Sequence, residues 1–289
     1  MSGRPSWPVS PSECVSPLGD AAIGCVRLWS RCPPGTVEAG FDNHRVGVTF
    51  SRTFFRAAAV CSFLSAITTL GLIFLPRLYQ PVGTFDERMA LVDNVAYLTR
   101  SWVYFVHPFI TVAASLAVAV RQRYRAAGAA TVGLLGMLLW GGTEAAQQAL
   151  TKVALDRTWR AAWPAADEVA RTLIRSQVAT YDAIWDAMYF IIIIAFLIGN
   201  VFLALAMRGE RGLGRWVSVA YWGGAAVTLP LVLQELGAPG LPEPLDTWLY
   251  PAIQPLGRSL IGLWLWRAAR VGDAAPSAAS IGVRPSGFA

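Results

Sequence analysis

The chain has 289 residues, of which 55% are hydrophobic and 15% are charged. Soluble domains carry about 25% charged residues, so this composition argues against a soluble globular protein. The formal net charge is +6, and in a membrane protein such an excess belongs in cytoplasmic loops. The composition therefore predicts an integral membrane protein that contacts membrane lipid and has no nucleic-acid partner.

The two ends of the chain have a different composition from the middle. Residues 1–50 are rich in Pro, Gly, Ser and Arg and lack apolar periodicity, which predicts a disordered N-terminal segment. A start codon assigned upstream of the true one is an alternative explanation for this segment. Residues 271–289 are predicted to form a disordered C-terminal tail.

Between these ends lies a predicted transmembrane domain, residues 51–270. Six stretches in it approach the ~20 apolar residues that a helix needs to cross a membrane. They are residues 57–75, 101–120, 127–148, 181–207, 216–236 and 247–266. The predicted fold is an all-α integral membrane bundle of six transmembrane helices.

The distribution of arginine predicts the orientation of this bundle. Compact, acid-poor Arg clusters precede the first predicted span and follow the second, fourth and sixth. Because basic residues stay on the cytoplasmic side, both termini are predicted to be cytoplasmic. Lys152 is the only lysine, a bias that indicates a GC-rich bacterium and hence a multi-pass protein of the bacterial inner membrane. The mixed charges of residues 151–180 fit this scheme less well.

Two segments on the predicted outer face have amphipathic patterns. Residues 85–98 carry apolar side chains at helical spacing, which predicts a helix lying on the outer face. Residues 165–180 form a second predicted helix, with Val169, Leu173, Ile174 and Val178 on one face. The predicted outer hairpin, residues 151–180, is a surface on which a protein partner could dock.

Arg258, inside the last predicted span, is the most informative single residue. Placing arginine at the centre of a membrane helix costs ~2.5–3.5 kcal/mol on insertion scales, so such a residue needs an acidic partner or must reach the interface. Glu144, Asp182 and Asp186 are the candidate acids, although both aspartates can equally lie above the hydrocarbon. With their polar neighbours they define a predicted polar layer in the outer half of the bundle. The candidate ligand-binding residues are His107, Glu144, Gln148, Asp182, Asp186, Gln254 and Arg258.

Three functions remain open from the sequence. In the first, the polar layer binds or transports a small polar or zwitterionic ligand or an ion. In the second, the protein is a structural or accessory subunit whose buried ion pairs hold the bundle together. In the third, it is an intramembrane hydrolase with a divalent metal held by His107, Glu144, Asp182 and Asp186. The chain has none of the common catalytic or cofactor-binding motifs, so catalytic residues and cofactors are not predicted in the first two cases.

Overall fold

The computed structural model describes residues 50–80, 82–239, 242 and 249–271. These residues are predominantly helical, and no strand occurs among them. Nearly all of the segments predicted to be disordered, residues 1–50 and 271–289, lies outside the described residues.

The described part of the chain forms six long α-helices and one short one. They are α1 (Arg52–Phe74), α2 (Phe85–Ala90), α3 (Val95–Gln122), α4 (Ala127–Leu150), α5 (Glu168–Ala206), α6 (Leu213–Glu235) and α7 (Tyr250–Val271). Three short 3₁₀ segments occur at Leu75–Leu78, Leu91–Asp93 and Trp163–Ala165, and a π-helical segment, Thr151–Arg160, continues α4.

Four of these helices are long and apolar enough to cross a membrane. They are α1 with its 3₁₀ extension (Arg52–Leu78), α3, α5 and α6. The other two predicted spans correspond to α4 and α7, which have 24 and 22 residues and are not among these four. Large apolar side chains stand on the outside of the bundle, among them Ile67, Phe109 and Leu135. Such an apolar exterior is typical of helices that face lipid.

The six long helices pack as a closed ring. Each one contacts two main neighbours, in the order α1, α3, α4, α5, α6, α7 and back to α1. Met207, Val217 and Leu265 are fully buried in the apolar core of the bundle.

Glycine allows α4 and α5 to approach closely. A Cβ atom added to Gly136 would lie 2.6 Å from the backbone nitrogen of Gly199, a distance that carbon and nitrogen atoms cannot share. Small residues at helix contacts are typical of membrane bundles, where close backbone packing replaces the hydrophobic effect.

The segment predicted as one amphipathic helix, 85–98, is divided in the structure. Thr84 and Glu87 form a capping box at the start of α2, and a 3₁₀ turn follows at Leu91–Asp93. The Asn94 side chain then accepts a hydrogen bond from the Tyr97 backbone at 3.0 Å and begins α3. Because Asn94 caps a new helix here, α3 starts before the predicted span at residue 101.

The predicted helix 165–180 is continuous with the fourth predicted span. Asp167 caps the N-terminus of α5, which runs for 39 residues to Ala206. Ile174 and Val178 are buried in a second apolar cluster together with Met89 of α2. Val169 and Leu173, assigned to the same face by the sequence, are 81% and 59% exposed. The buried face is therefore narrower than the apolar pattern suggests.

Candidate functional site

Two cavities with both polar and apolar residues in their walls occur in the described part of the chain. The large cavity, about 1140 Å³, is on the side of the bundle that carries α2 and the segment Thr151–Arg160. The central cavity, about 200 Å³, is lined by all six long helices. Arg100 and Tyr104 line both cavities, so the two spaces adjoin at these side chains.

The seven candidate residues of the sequence divide between the two cavities. His107, Glu144, Gln254 and Arg258 line the central cavity. Gln148, Asp182 and Asp186 line the large cavity. The residues of the single polar layer expected from the sequence thus line two adjoining cavities, because α5 places its aspartates beside Arg88 of α2.

The Arg258 guanidinium is bound by hydroxyl groups of α1 and α3. Its Nη1 atom donates to Ser65 Oγ at 2.5 Å and to Thr111 Oγ1 at 2.6 Å. The Ser62 hydroxyl donates to the Arg258 carbonyl at 2.6 Å. Arg258 is also 9% exposed. These contacts connect α7 to α1 and α3 through a nearly buried cation.

Glu144 is an acid whose carboxyl group interacts electrostatically with the Arg258 guanidinium. Its side chain is buried, with 4% of the residue exposed, and it interacts with the Arg258 charge through space. No hydrogen bond or ion pair reaches the Glu144 carboxylate from any described residue. Burying a carboxyl group in this way costs free energy unless a hydrogen-bonding partner compensates for the lost water. The open side of Glu144 is the central cavity.

Two further polar groups belong to the central cavity. His107 Nδ1 lies 2.7 Å from the Thr68 hydroxyl, and its ring meets the Trp140 ring edge to face, with centroids 6.1 Å apart. The Gln254 amide nitrogen is buried and has no hydrogen-bond acceptor among the described residues. The central cavity therefore combines a carboxylate that lacks a donor with an amide that lacks an acceptor.

A third, smaller cavity of about 40 Å³ lies on the other side of Arg258. Gln254 and Arg258 line it as well as the central cavity, and Asn200 lies in its wall. Its volume is close to the ~30 Å³ that one water molecule occupies. The central cavity shares lining side chains with each of the other two cavities.

Asp182 forms an ion pair with Arg88, which is not among the candidate residues of the sequence analysis. Arg88 of α2 donates to both oxygens of Asp182, at 2.8 Å and 2.5 Å. The hydrogen bond to Asp182 raises the pKa of Arg88, so this guanidinium stays charged. The pair attaches α2 to α5. Asp182 and Arg88 are 94 residues apart in the sequence, so helical periodicity does not predict this contact.

A second charged group supports the wall of the large cavity. Asp156 accepts hydrogen bonds from Arg160 at 2.6 Å and from the Tyr97 hydroxyl at 3.0 Å. The Arg160 guanidinium also stacks over the Tyr97 ring at 4.6 Å. These contacts tie the extension of α4 to the start of α3.

Sequence reading missed the hydroxyl partners of Arg258. Ser62, Ser65 and Thr69 recur at helical spacing in α1, and all three are buried. Thr111 follows His107 by one helical turn and accepts from Arg258. Counting small hydroxyl side chains as polar markers would have identified this face, because membrane helices use Ser and Thr at their contacts.

The metal hypothesis finds little geometric support. His107 and Glu144 line one cavity, whereas Asp182 and Asp186 line the other. Within the described residues, no group of three or more His, Cys, Asp and Glu side chains is placed to hold a metal ion.

The fold and the cavities together indicate the structural class of the protein. An all-helical chain with four helices of membrane-spanning length and apolarity indicates a helical membrane protein, here with cavities that have both polar and apolar residues in their walls. No protein-family model, curated protein or solved structure matches the chain.

Proposed function

We propose that this protein is a six-helix bacterial inner-membrane protein that binds a small polar ligand or ion in the central cavity and transports it. One observation carries the proposal: the Glu144 carboxylate is buried, faces the central cavity and receives no hydrogen bond from any described residue. A buried carboxyl group in this position needs a hydrogen-bonding partner. A ligand with an ammonium group or other strong donor would supply it, and a proton or cation would do the same.

The shape of the cavity supports a small ligand. A volume of about 200 Å³ is below the ~300–1,000 Å³ of sites for drug-sized molecules. Trp140 and Tyr104 add aromatic surface to the wall, and the guanidinium groups of Arg258 and Arg100 lie over their rings at 6.0 Å and 5.2 Å. Arg258 already donates to Ser65 and Thr111 through Nη1, so its role as an anion clamp is secondary to the role of Glu144.

The proposed topology places both termini in the cytoplasm. The arginine clusters that flank the predicted spans support it. With this orientation, the large cavity faces outward and leads to the central cavity. Reporter fusions that are active only in the periplasm or only in the cytoplasm, placed after residues 125, 160 and 211, would test the arrangement. Activity of the cytoplasmic reporter at residue 160 would contradict it.

Binding is best tested by thermal unfolding in detergent. Wild type and Glu144→Gln would be compared against metal ions, small amines, amino acids and other polar metabolites. A ligand that binds the folded state raises the melting temperature by mass action. We expect such a compound to stabilise wild type and to lose this effect in Glu144→Gln.

Glu235→Gln is the matched control, since Glu235 is exposed at the end of α6. It removes the same charge away from the cavity and should respond to ligand as wild type does. If a compound stabilises Glu144→Gln as much as wild type, the ligand does not bind at Glu144.

A structural role is the second candidate function. The contacts of Arg258 with Ser62, Ser65 and Thr111 favour it, because they join three helices. The exposed Val169 and Leu173 on the 151–180 hairpin would then contact a protein partner. A protein that co-purifies with wild type but not with the double variant Val169→Ser, Leu173→Ser would favour this function. Wild type should then show no change in melting temperature with any ligand.

A further inference from the structure

Four arginine side chains line the large cavity, and each comes from a different segment. They are Arg77, Arg88, Arg100 and Arg160. The lining also contains the carboxylates of Asp182 and Asp186, so four positive charges face two negative ones. A cavity with an excess of guanidinium groups concentrates anions.

Two of the four arginines are already paired. Arg88 binds both oxygens of Asp182, and Arg160 binds Asp156 at 2.6 Å. Their charges are used to hold α2 and the extension of α4 in place. The excess positive charge of the cavity therefore belongs to the other two.

Arg77 and Arg100 have no ion pair among the described residues. The Arg77 guanidinium lies 4.9 Å from the Phe74 ring centroid, and that of Arg100 lies 5.2 Å from the Tyr104 ring centroid. The Nε atom of Arg100 is buried without an acceptor in the described part of the chain. Asp186 likewise has no ion pair there, so two free positive charges face one free negative charge.

We propose that Arg77 and Arg100 bind the phosphate or carboxylate group of an anionic ligand in the large cavity. The planar guanidinium matches these groups with paired N–H donors, which gives charge-assisted hydrogen bonds. Arg100 lines the central cavity as well, so the bound anion lies at the junction of the two cavities. The anionic group comes either from a lipid headgroup or from a soluble molecule, and the chemistry is the same for both.

This site does not depend on the proposed function of the central cavity. Its test is calorimetric titration of the detergent-solubilised full chain with inorganic phosphate, for wild type, Arg77→Gln and Arg100→Gln. Each substitution removes one charge-assisted contact, so we expect about tenfold weaker binding for each. Arg77 is exposed, and Arg77→Gln therefore tests the site without disturbing a buried contact.

Arg215→Gln is the matched control, because Arg215 is exposed at the start of α6, away from the large cavity. It lowers the net charge equally and should bind phosphate as wild type does. Non-specific binding of phosphate would appear in wild type and in all variants alike.

The second arm tests the lipid source. Wild type and Arg77→Gln would be melted in nanodiscs of phosphatidylcholine with and without phosphatidylglycerol. A rise in melting temperature with phosphatidylglycerol that Arg77→Gln lacks identifies a lipid headgroup, whereas phosphate binding in detergent identifies a soluble anion. If neither probe separates wild type from Arg77→Gln, or if Arg215→Gln loses as much, the proposal is wrong.

Discussion

The Arg258 guanidinium on α7 donates a hydrogen bond to the Thr111 hydroxyl on α3 at 2.6 Å. Thr111 in turn donates to the His107 carbonyl at 2.9 Å, one turn earlier in its own helix. A hydroxyl that accepts from a cation while donating to a carbonyl uses both of its hydrogen-bonding roles. Hydroxyl groups thus satisfy part of the buried Arg258 guanidinium, and the Glu144 side chain lines the central cavity.

Thr111→Val tests this contact with almost no change in side-chain shape. Valine removes the acceptor for Arg258, so we expect the free energy of unfolding to fall by roughly 1–2 kcal/mol. Unfolding of the solubilised protein in a denaturing detergent would measure it. Thr228→Val is the control, because the Thr228 hydroxyl is equally buried but bonds only the Gly224 carbonyl of its own helix. Equal losses in both variants would show that the Arg258 contact contributes nothing specific.

Arg258 and Glu144 are expected to be energetically coupled. Arg258→Met removes the cation whose charge acts on the buried Glu144 side chain, so the single variant leaves a buried acid without its favourable neighbour. In Arg258→Met with Glu144→Gln that acid is gone as well, and part of the stability should return. We expect a coupling free energy of roughly 1–3 kcal/mol from a double-mutant cycle of unfolding measurements. Additive losses, with no coupling, would mean that the two groups do not interact.

The apolar stretches of the sequence predicted the long helices well. Each of the six predicted spans overlaps a long helix, and four of the helices among the described residues are long and apolar enough to cross a membrane. Helix ends were less predictable, since they depend on caps such as Asn94 and Asp167. Local hydrogen bonds of this kind outweigh the apolar pattern at the boundary.

The candidate site was harder to predict than the helices. The sequence singled out seven polar residues, and four of them, His107, Glu144, Gln254 and Arg258, line one cavity. It could not give the depth of Asp182, because Arg88 binds this aspartate from a separate helix, α2. Contacts between distant segments depend on helix rotation and tilt, which a periodic pattern does not contain.

The contact between α4 and α5 should be sensitive to a single methyl group. A Cβ atom at residue 136 would meet the Gly199 backbone at 2.6 Å, and backbone atoms cannot move aside as a flexible side chain can. Gly136→Ala is therefore expected to separate the two helices and to lower the free energy of unfolding by about 1–3 kcal/mol. Gly142→Ala lies in the same helix with no atom within 4 Å of the added carbon and should be neutral. Comparable losses in the two variants would contradict the close packing.

Asp182 and Arg88 should contribute only modestly to stability. Their side chains are 40% and 35% exposed, and ion pairs in contact with water contribute about 0–1 kcal/mol. Asp182→Asn should lower the free energy of unfolding within that range at low salt, and the difference from wild type should shrink in about 1 M salt, where the Debye length is ~3 Å. Asp186→Asn, one turn further along α5 and without an ion pair among the described residues, should show no such dependence on salt. A loss in Asp182→Asn that persists at high salt would mean that the geometry of the two hydrogen bonds, rather than their charge, holds α2 against α5.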